Sequence, residues 1–497
     1  MLKTHCKEAP VRTIPRTTRR QKMDRRRRRK HKGKRRGRMR RAQRPPLVPQ
    51  CLLRRLGDLL DAFTGIFTKP TGQRFAVLLV AAILTTGSRT ILNVLRTVDT
   101  LAGGHASSYH RVLSQRRWSM AALARAWTGY VLRRWWPTGT ILVAGDDTVF
   151  EHRGKKVYGK GRHRDAVRSS HSYTAYRYGH KWVVLAILVR VPWSNRSWAL
   201  PILSALYRTR EWNKQHGRRH KTPAELMRQL LAVLLRWFPE RRFRFVGDGN
   251  FGTHDLTAFA HRQRRCLALV SRFYTDANLY DLPPPRTPRK KGRPRCKGRK
   301  LPTPAEVVKR TKRLKNLTVA WYGGGRRNIA IVSGTAHWYR AGEDLTPVRW
   351  VYVKDRTGTH RDEYFFTSDP DLTPRQIVET YTARWNIETT FQEMRASLKV
   401  DKTRGWTENT VLRTTPCLMG LYGVVTAIYA ELPAQWQSRR VVRPNNAVNV
   451  TFADVLASVR RWLWSEWVFA NPIHKDAFDK IPRRLREALL RGLASAA

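Results

Sequence analysis

From residue 138 onward, short apolar runs alternate with stretches of helical periodicity, and this alternation restricts the fold more than any other feature of the chain. The runs that predict strands are 141–145, 182–191, 243–247 and 266–273. The stretches that predict helices are 222–238 and 253–264. Strands that alternate with helices along a sequence indicate an α/β core.

The remaining segments differ from this core in composition and periodicity. Short helices broken by Gly and Ser precede the core, a basic Pro- and Gly-rich loop with several short strands interrupts it, and helices follow it. The predicted regions are a disordered basic tail at 1–47, a helical DNA-binding domain at 48–137, core parts at 138–274 and 361–402, a β-rich insertion with a basic loop at 275–360, and a helical C-terminal region at 403–497. The first helical region either contains a helix-turn-helix or is a plain helical bundle.

The excess of basic residues points to a polyanionic partner. The chain has 98 Lys and Arg against 35 Asp and Glu, a net charge of +63, which is unusual for a freely soluble metabolic enzyme. Residues 1–50 contribute +19 and the remainder contributes +44. Nucleic acid is therefore the expected partner, ahead of an anionic membrane surface. The tail is either a nucleic-acid arm or translated upstream sequence, with the true start at Met23 or Met39.

The sequence predicts neither a membrane span nor secretion. The longest apolar run, 75–84, is about half as long as the ~20 residues that a span requires. The basic N-terminus lacks the apolar stretch of a signal peptide. The five cysteines show no C-x2-C spacing, so no zinc site or disulfide framework is predicted. We expect a cytoplasmic protein that works close to DNA or RNA.

Acidic residues are scarce, so their positions within the core carry information. Asp146 and Asp147 follow the first predicted strand, and Asp248 follows a later one. A carboxylate just beyond a strand lies at the rim of the sheet, where α/β sites form. Gly247 and Gly249 would let a backbone or a phosphate approach closely. Such carboxylates in a strongly basic chain suggest a divalent metal acting on phosphate, because these ions prefer hard oxygen ligands.

A helix predicted over 374–399 supplies a further acidic residue. The segment opens with a capping-box pattern and a proline at the first helical position. At about 100° per residue, one narrow face carries Tyr381, Arg384, Glu388 and Arg395. An adjoining apolar stripe consists of Ile387, Phe391, Met394 and Leu398. The stripe is expected to dock on the core, with a metal-binding carboxylate between two phosphate-binding arginines beside it; the alternative is an ordinary charged helix face.

The order of these motifs resembles the DDE transposases of bacterial insertion sequences, in particular the cut-and-paste superfamily with a Tyr-Arg-Glu-Lys signature. The matching motifs are D-D-T at 146–148, D-G-N-F at 248–251 and Tyr-x2-Arg-x3-Glu at 381–388. The β-strand insertion before the Glu is also typical of that superfamily, and the resemblance covers residues 75–430. One position departs from the signature, because its final Lys falls on Arg395 and the two side chains differ in geometry.

The resemblance implies an RNase H-like catalytic fold and a DNA transposase that cleaves transposon ends and joins them to target DNA. It implies that Asp146, Asp248 and Glu388 bind two Mg²⁺ ions, for which Mn²⁺ could substitute. Such ions activate a water or a DNA 3′-OH for in-line attack and stabilise the leaving oxygen. The Asp-x-Thr pattern favours Asp146 as the first ligand, and Asp147 stays open as the alternative.

The same resemblance implies how the protein holds its substrate. Tyr381, Arg384 and Arg395 are expected to bind DNA phosphates near the cut. The expected partners are double-stranded DNA, both as terminal inverted repeats and as target, and a second copy of the chain in a paired-end complex; no membrane is expected. In a bacterium the protein would be cytoplasmic and associated with the nucleoid.

Two further signals each have a functional and a structural interpretation. Lys291–Arg295 resembles the core of an AT-hook, in which Arg293 and Arg295 would enter the minor groove, or it is a solvated basic loop. Several tryptophans are expected in strand cores, although one of them could stack on an extruded base. These are Trp182, Trp193, Trp198, Trp321, Trp338 and Trp350.

Three functions therefore compete at the level of sequence. The first is an active transposase. The second is a decayed or repurposed transposase that binds DNA without cleaving it, which the departure at Arg395 and the unusual tail motivate. The third is another RNase H-like nuclease, such as a resolvase, which would cut branched DNA without transposon ends. Inverted repeats bracketing the coding sequence would favour the first.

Overall fold

A computed structural model of the protein describes residues 61, 63, 65–165, 168–285, 293–343, 345–438 and 450–495. The predicted tail at 1–47 lies outside them. The strands are β1 (Ile141–Glu151), β2 (Gly161–Arg164), β3 (Tyr176–Val189), β4 (Trp198–Tyr207), β5 (Phe243–Gly247), β6 (Leu267–Arg272), β7 (Leu279–Tyr280), β8 (Lys315–Ala320), β9 (Arg326–Trp338), β10 (Thr346–Asp355) and β11 (Glu363–Thr367).

The described helices lie before, between and after these strands. They are α1 (Lys69–Leu84), α2 (Ile91–Val98), α3 (Ala106–Ser114), α4 (Met120–Trp135), α5 (Arg210–Gln215), α6 (Pro223–Trp237), α7 (His254–Arg262), α8 (Pro304–Arg310), α9 (Pro374–Ala383), α10 (Trp385–Leu398), α11 (Glu408–Ala430), α12 (Phe452–Leu463), α13 (Pro472–Asp479) and α14 (Arg483–Ala494). The predicted α/β fold with flanking helical regions is confirmed.

The centre of the sheet has the strand order β4-β3-β1-β5-β6. β1 pairs with β3 in antiparallel fashion on one side and with β5 in parallel on the other. β5 continues in parallel with β6. The central strands are buried along most of their lengths, and helices α6 and α10 pack on β4. This arrangement brings the ends of β5 and the middle of β1 side by side.

The predicted β-rich insertion extends the same sheet. β11 pairs with β6, and β10 and β9 follow in antiparallel order. Among its short strands the sequence predicts NIAIVS (328–333) and AHWYR (336–340) as two, but they form one strand, β9. It runs unbroken because β10 pairs with it from Ile329 to Trp338, and Gly334 in that pairing leaves room for the indole ring of Trp350. The domain boundaries themselves stay a prediction.

Two strands differ from the sequence prediction in other ways. β1 does not end before Asp146; it continues to Glu151 because β3 supplies a pairing partner along its whole length. β4 was not predicted, and it contains Pro201, a residue that is uncommon inside strands. The structure accommodates this proline at the sheet edge, next to a register shift between Leu185 and Ala186 of β3. Prolines are tolerated at such positions because an edge strand leaves some amides unpaired.

The N-terminal helices dock on the sheet and on the C-terminal helices. The Trp127 indole donates to the carbonyl of Pro201 at 3.0 Å. The guanidinium of the fully buried Arg460 donates to the carbonyls of Ile83 and Thr85, at 2.8 Å each. Such bonds satisfy carbonyls that the end of α1 leaves free. The DNA-binding role of this region stays a prediction.

One described helix, α11, is long and apolar enough to cross a membrane by length and composition alone. In its apolar window, 67% is buried inside the protein. Core helices of soluble proteins meet the same criterion, so this helix is weak evidence for a membrane.

Candidate active site

Asp146 and Asp248 lie on neighbouring strands. Gly145 of β1 pairs with Gly247 of β5 in parallel register, so the residues that follow them are adjacent across the sheet. Asp248 caps the short turn Gly249–Phe251, and its carboxylate accepts 3.0 Å hydrogen bonds from the amide and the side chain of Asn250. The D-G-N-F sequence therefore forms a hydrogen-bonded turn that fixes the Asp248 carboxylate at the end of β5.

The two glycines beside Asp248 have different surroundings. A Cβ at Gly247 would overlap Phe251, which is fully buried, so Gly247 makes room for protein rather than for the expected phosphate. At Gly249 the nearest neighbour of a Cβ would be Arg272 at 3.8 Å. The space expected for a close approach is therefore present at the second glycine, next to a basic side chain.

Asp146 and Asp147 point to opposite faces of the sheet, because both lie inside β1 and successive side chains alternate. The Asp147 carboxylate forms an ion pair with Lys181 of β3 at 3.0 Å. The Asp146 carboxylate meets Arg384, which lies between α9 and α10. This geometry supports Asp146 as the functional residue of the pair and gives Asp147 a partner of its own.

Arg384 connects two of the predicted metal ligands. Its Nη1 lies 3.1 Å from Asp146 Oδ2 and 2.7 Å from Glu388 Oε1. The predicted single helix is two helices here: the Arg384 amide donates to Tyr381 O at 3.1 Å, and the Ile387 amide donates to Arg384 O at 3.0 Å. These i to i−3 bonds tighten the chain into a turn where the guanidinium projects toward β1.

The electrostatics of the site are unbalanced. Burial raises the pKa of Asp146 to about 8, and the neighbouring carboxylates of Asp248 and Asp147 add to this rise although Arg384 opposes it. Burial also raises the pKa of Asp147, against the effect of Lys181. Burial lowers the pKa of Arg384, but the adjacent acids outweigh it and hold that pKa above its usual range. The carboxylates of Asp146, Asp147 and Asp248 repel one another. A single arginine, Arg384, forms ion pairs with both Asp146 and Glu388.

Arg395 of α10 contacts β1 two residues beyond Asp146. Its Nη2 donates to the Thr148 hydroxyl at 2.5 Å, and its guanidinium lies 5.9 Å from the ring of Phe150. Thr148 and Phe150 are on the Asp146 face of β1 because they are separated from it by even numbers of residues. The Arg384 and Arg395 side chains thus both reach the same strand face. Thr148 was visible in the Asp-x-Thr pattern, but its bond to Arg395 was not.

Tyr381 is placed differently from the prediction. Its side chain is 1% exposed, and its ring stacks on Phe365 with centroids 4.1 Å apart. The guanidinium of Arg384 lies 5.7 Å from the same ring. We therefore expect Tyr381 to position Arg384 rather than to contact DNA. The predicted apolar stripe at Ile387, Phe391, Met394 and Leu398 is buried as expected.

The donor set suits a divalent cation, although the carboxylates are not yet gathered around one point. Within the described ranges, no three His, Cys, Asp or Glu side chains are close enough to form a metal-binding group. Asp146, Asp248 and Glu388 nevertheless supply only hard oxygen ligands.

The other predicted contacts lie away from this centre or inside the core. Arg293 and Arg295 are exposed, and the preceding Lys291 and Gly292 lie outside the described residues, so the AT-hook stays a prediction. All six tryptophans considered for base stacking are buried. Trp385, which follows Arg384 directly, is 44% exposed and was not singled out by its sequence context.

Comparison with known proteins identifies the family. The sequence model of a family described as "DDE superfamily endonuclease" matches residues 62–328, which is more than half of the chain. The chain belongs to the DDE superfamily of endonucleases. The match includes Asp146 and Asp248 and ends before Glu388. The predicted resemblance to DDE enzymes is confirmed at this level, and a bacterial origin stays a prediction.

More distant comparisons add little to this family assignment. No curated protein matches the chain. Among solved structures, a "piggyBac transposase synaptic complex with hairpin DNA" has 12% sequence identity and a TM-score of 0.36, with 92% of this chain and 86% of that chain covered. A likeness of this size does not bear on the substrate or the reaction of this DDE endonuclease.

Proposed function

We propose that this DDE endonuclease is a DNA transposase whose active site is formed by Asp146, Asp248 and Glu388. The observation that carries the proposal is the bridge from Arg384 to both Asp146 and Glu388. The two carboxylates are separated by more than 200 positions in sequence, and one is a signature residue of β1 and the other of α10. Their contact with one buried arginine, close to Asp248, supports a DDE centre made of these three acids.

Asp146, Asp248 and Glu388 would hold the metal. When bound, two Mg²⁺ ions would supply activation of a nucleophile and stabilisation of a leaving oxygen during in-line displacement at phosphorus. The protein's own contribution is orientation: Arg384 fixes two of the carboxylates, and the turn at Gly249–Phe251 fixes the third. Fixed ligands lower the cost of assembling the reactive geometry.

The surrounding positive charge would hold the DNA. The body of the chain, without residues 1–50, carries a net charge of +44, and positive surfaces bind DNA through its phosphates. Near the carboxylates, the basic side chains include Arg395 beside Thr148 and Arg272 beside Gly249, the latter in an ion pair with Glu363. The proposed partners are terminal inverted repeats, target DNA and a second copy of the chain in a paired-end complex, in the cytoplasm of a bacterium.

The test is cleavage of DNA that carries the sequences flanking the coding region. With Mg²⁺, the wild-type protein should cut at the ends of the inverted repeats and join the 3′-OH to a second DNA. Glu388→Gln should reduce cleavage by about 10³-fold or more, because metal catalysis contributes several kcal/mol to the barrier. Glu240→Gln, at an exposed acid that precedes β5 and so lies toward the end of that strand opposite to Asp248, is the matched control. Equal cleavage by Glu388→Gln and wild type would overturn the proposal.

The alternative of a DNA-binding protein without activity has one observation in its favour. Arg384 already neutralises Asp146 and Glu388 in part, so a permanently inactive site could be held by this ion pair alone. That alternative predicts salt-sensitive DNA binding by both wild type and Asp248→Asn, with no cleavage by either. Cutting of branched DNA that lacks the repeats would instead favour a resolvase-like nuclease.

A further inference from the structure

Beyond the active site, β2 and the start of β3 form a two-stranded ribbon with an unusual outer face. Arg162 lies opposite Tyr178, and Arg164 lies opposite Tyr176. All four side chains are exposed, and the two tyrosines are 57% and 45% exposed in that order. Large aromatic side chains are rarely left uncovered in this way without a partner. The connecting loop adds Tyr173, which is 66% exposed.

One arginine and one tyrosine of this face are in direct contact. The Arg162 guanidinium lies 3.6 Å from the centroid of the Tyr176 ring, diagonally across the ribbon. Neither Arg162 nor Arg164 forms an ion pair with an acidic side chain in the part of the chain that the structure describes. Their charges are therefore available to a ligand.

The opposite face of the ribbon is braced, which keeps the outer face in place. Arg177 Nε donates to the buried Asp165 carboxylate at 2.5 Å, and the Asp165 amide donates to Ala175 O at 2.9 Å. His163 is buried beneath the strands and lies 3.2 Å from Gly179 O. The acids of this region, Asp165 and Glu151, both pair with Arg177, and the four residues of the outer face are basic or aromatic.

A groove of about 540 Å³ continues the outer face beyond Tyr178. Its basic lining consists of Lys155, Lys156, Lys160 and Arg162. The far wall is Trp212, which stacks on His216 with ring centroids 3.8 Å apart. No acidic residue is among the described residues that line it. A basic groove lined by aromatic rings is how proteins bind single-stranded nucleic acid, since bases stack on rings while lysine and arginine follow the backbone.

We propose that the ribbon face (Arg162, Arg164, Tyr176, Tyr178) and the adjoining groove bind unpaired DNA. Fully paired DNA offers phosphates to the basic groups but keeps its bases inside the stack, so exposed tyrosine rings would have nothing to stack on. The partner that fits both features is a strand with accessible bases. The inference rests on the proposed function only in taking DNA as the nucleic acid.

The position of the ribbon relates it to the active site. Asp146 pairs with Val184, and Tyr178 lies six residues further along β3, which corresponds to about 20 Å at ~3.3 Å per residue. This is the length of about six base pairs at 3.4 Å each. The ribbon is therefore within a few base pairs of the carboxylates, although the β3 residues between them, such as His180 and Trp182, are buried.

The test is binding of the full-length protein to labelled oligothymidine of about 20 nucleotides, longer than one single-strand binding site, and to a duplex of equal length, with EDTA present. Tyr176→Ala/Tyr178→Ala should weaken oligothymidine binding about 10-fold or more, since stacking contributes ~1–3 kcal/mol per base. The slope of log affinity against log salt should not change. Arg162→Ala/Arg164→Ala should instead reduce that slope by about 1.4 for the single strand.

Controls separate stacking from general damage. Tyr176→Phe/Tyr178→Phe keeps both rings and should bind like wild type. Arg484→Ala removes an exposed charge from α14, away from the ribbon, and should leave both affinities unchanged. The proposal is overturned if the alanine pair binds oligothymidine as tightly as wild type, or if it loses duplex and single-strand binding equally. Because no metal is needed, either result leaves the cleavage test of the proposed function untouched.

Discussion

Two buried aspartates in the same sheet, Asp146 on β1 and Asp355 at the end of β10, each face an arginine and yet have opposite environments. Asp355 Oδ2 is 2.8 Å from Arg327 Nη1, nearly the same distance as in the Asp146 pair with Arg384. The difference lies in the other partners. Asp355 also accepts bonds from the amides of Thr357, Thr359 and His360 and from two threonine hydroxyls.

The pKa values of the two groups move in opposite directions. Burial raises the pKa of the Asp355 carboxyl, but the bonds from Thr357 and His360 and the charge of Arg327 outweigh it and hold that pKa well below its ordinary value. The pKa of Asp146 is raised to about 8, because burial and two acidic neighbours outweigh a shared arginine. A buried carboxylate with enough hydrogen-bond donors and positive charge around it stabilises the fold. One that lacks them is a candidate ligand for a cation.

The largest predicted effect is a difference in cleavage rate between variants of Asp146 and of Asp147. Asp146→Asn should lower Mg²⁺-dependent cleavage about 10³-fold or more, because it removes a charged metal ligand. Asp147→Asn should lower it less than about 10-fold, since its side chain is on the other face with Lys181. Cleavage rates of the two variants on the same DNA measure the difference. Equal loss in both would show that strand alternation does not assign the ligand.

For the stability of the fold, we expect the substitution of Asp355 to have a larger effect than that of Asp146. Asp355→Asn should reduce the free energy of unfolding by about 2 kcal/mol, because it weakens the bonds from three amides and two hydroxyls and removes the charge partner of the partly buried Arg327. Asp146→Asn should change it by less than about 1 kcal/mol in metal-free protein, since the amide keeps the shape and removes a disfavoured charge. Urea unfolding at neutral pH measures both. A larger loss for Asp146→Asn would contradict the comparison.

The stabilising effect of Asp355 should depend on pH in a defined window. Because its folded-state pKa lies below the unfolded value of about 3.9, its contribution is present above that pH and is lost as pH falls toward the folded-state pKa. The difference in unfolding free energy between wild type and Asp355→Asn should therefore be constant from pH 6 to 8 and shrink below about pH 4. A difference that grows on acidification would exclude this role for the carboxylate.

The smallest effect is expected at the position that departs from the family signature. Arg395→Lys restores the signature residue and keeps the positive charge, although it offers one donor point instead of a planar fork. A lysine can still donate to the Thr148 hydroxyl, so we expect cleavage to change less than about 3-fold. Arg395→Ala should lower cleavage more than Arg395→Lys. If both variants lose activity alike, the guanidinium geometry itself is required.

The sequence predicted the elements of the fold that have a strong hydrophobic pattern. It missed those whose existence or length depends on pairing with another strand. Apolar runs identified β3, β5 and β6, and a capping box identified the start of α9. β4 contains a proline that only an edge position tolerates, and the length of β1 depends on its partner β3. Neither fact is local, because strand pairing joins residues that are distant in sequence.

The candidate site was predictable as a set of residues but not as a set of contacts. The Asp and Glu motifs could be found from their spacing, and the structure brings Asp146 and Glu388 onto one guanidinium. The burial of Tyr381 against Phe365 could not be predicted, because helical periodicity places Tyr381 on the face of Arg384 but does not show which strand residue covers it.

The pairing of β11 with both β6 and β10 has a consequence for truncated forms of the protein. Without the strands of residues 275–360, β11 would become the border of the sheet, with unpaired amides and carbonyls beside the buried rings of Phe365 and Phe366. An apolar border strand of this kind recruits strands from other molecules. A chain that lacks this segment would therefore be prone to aggregation.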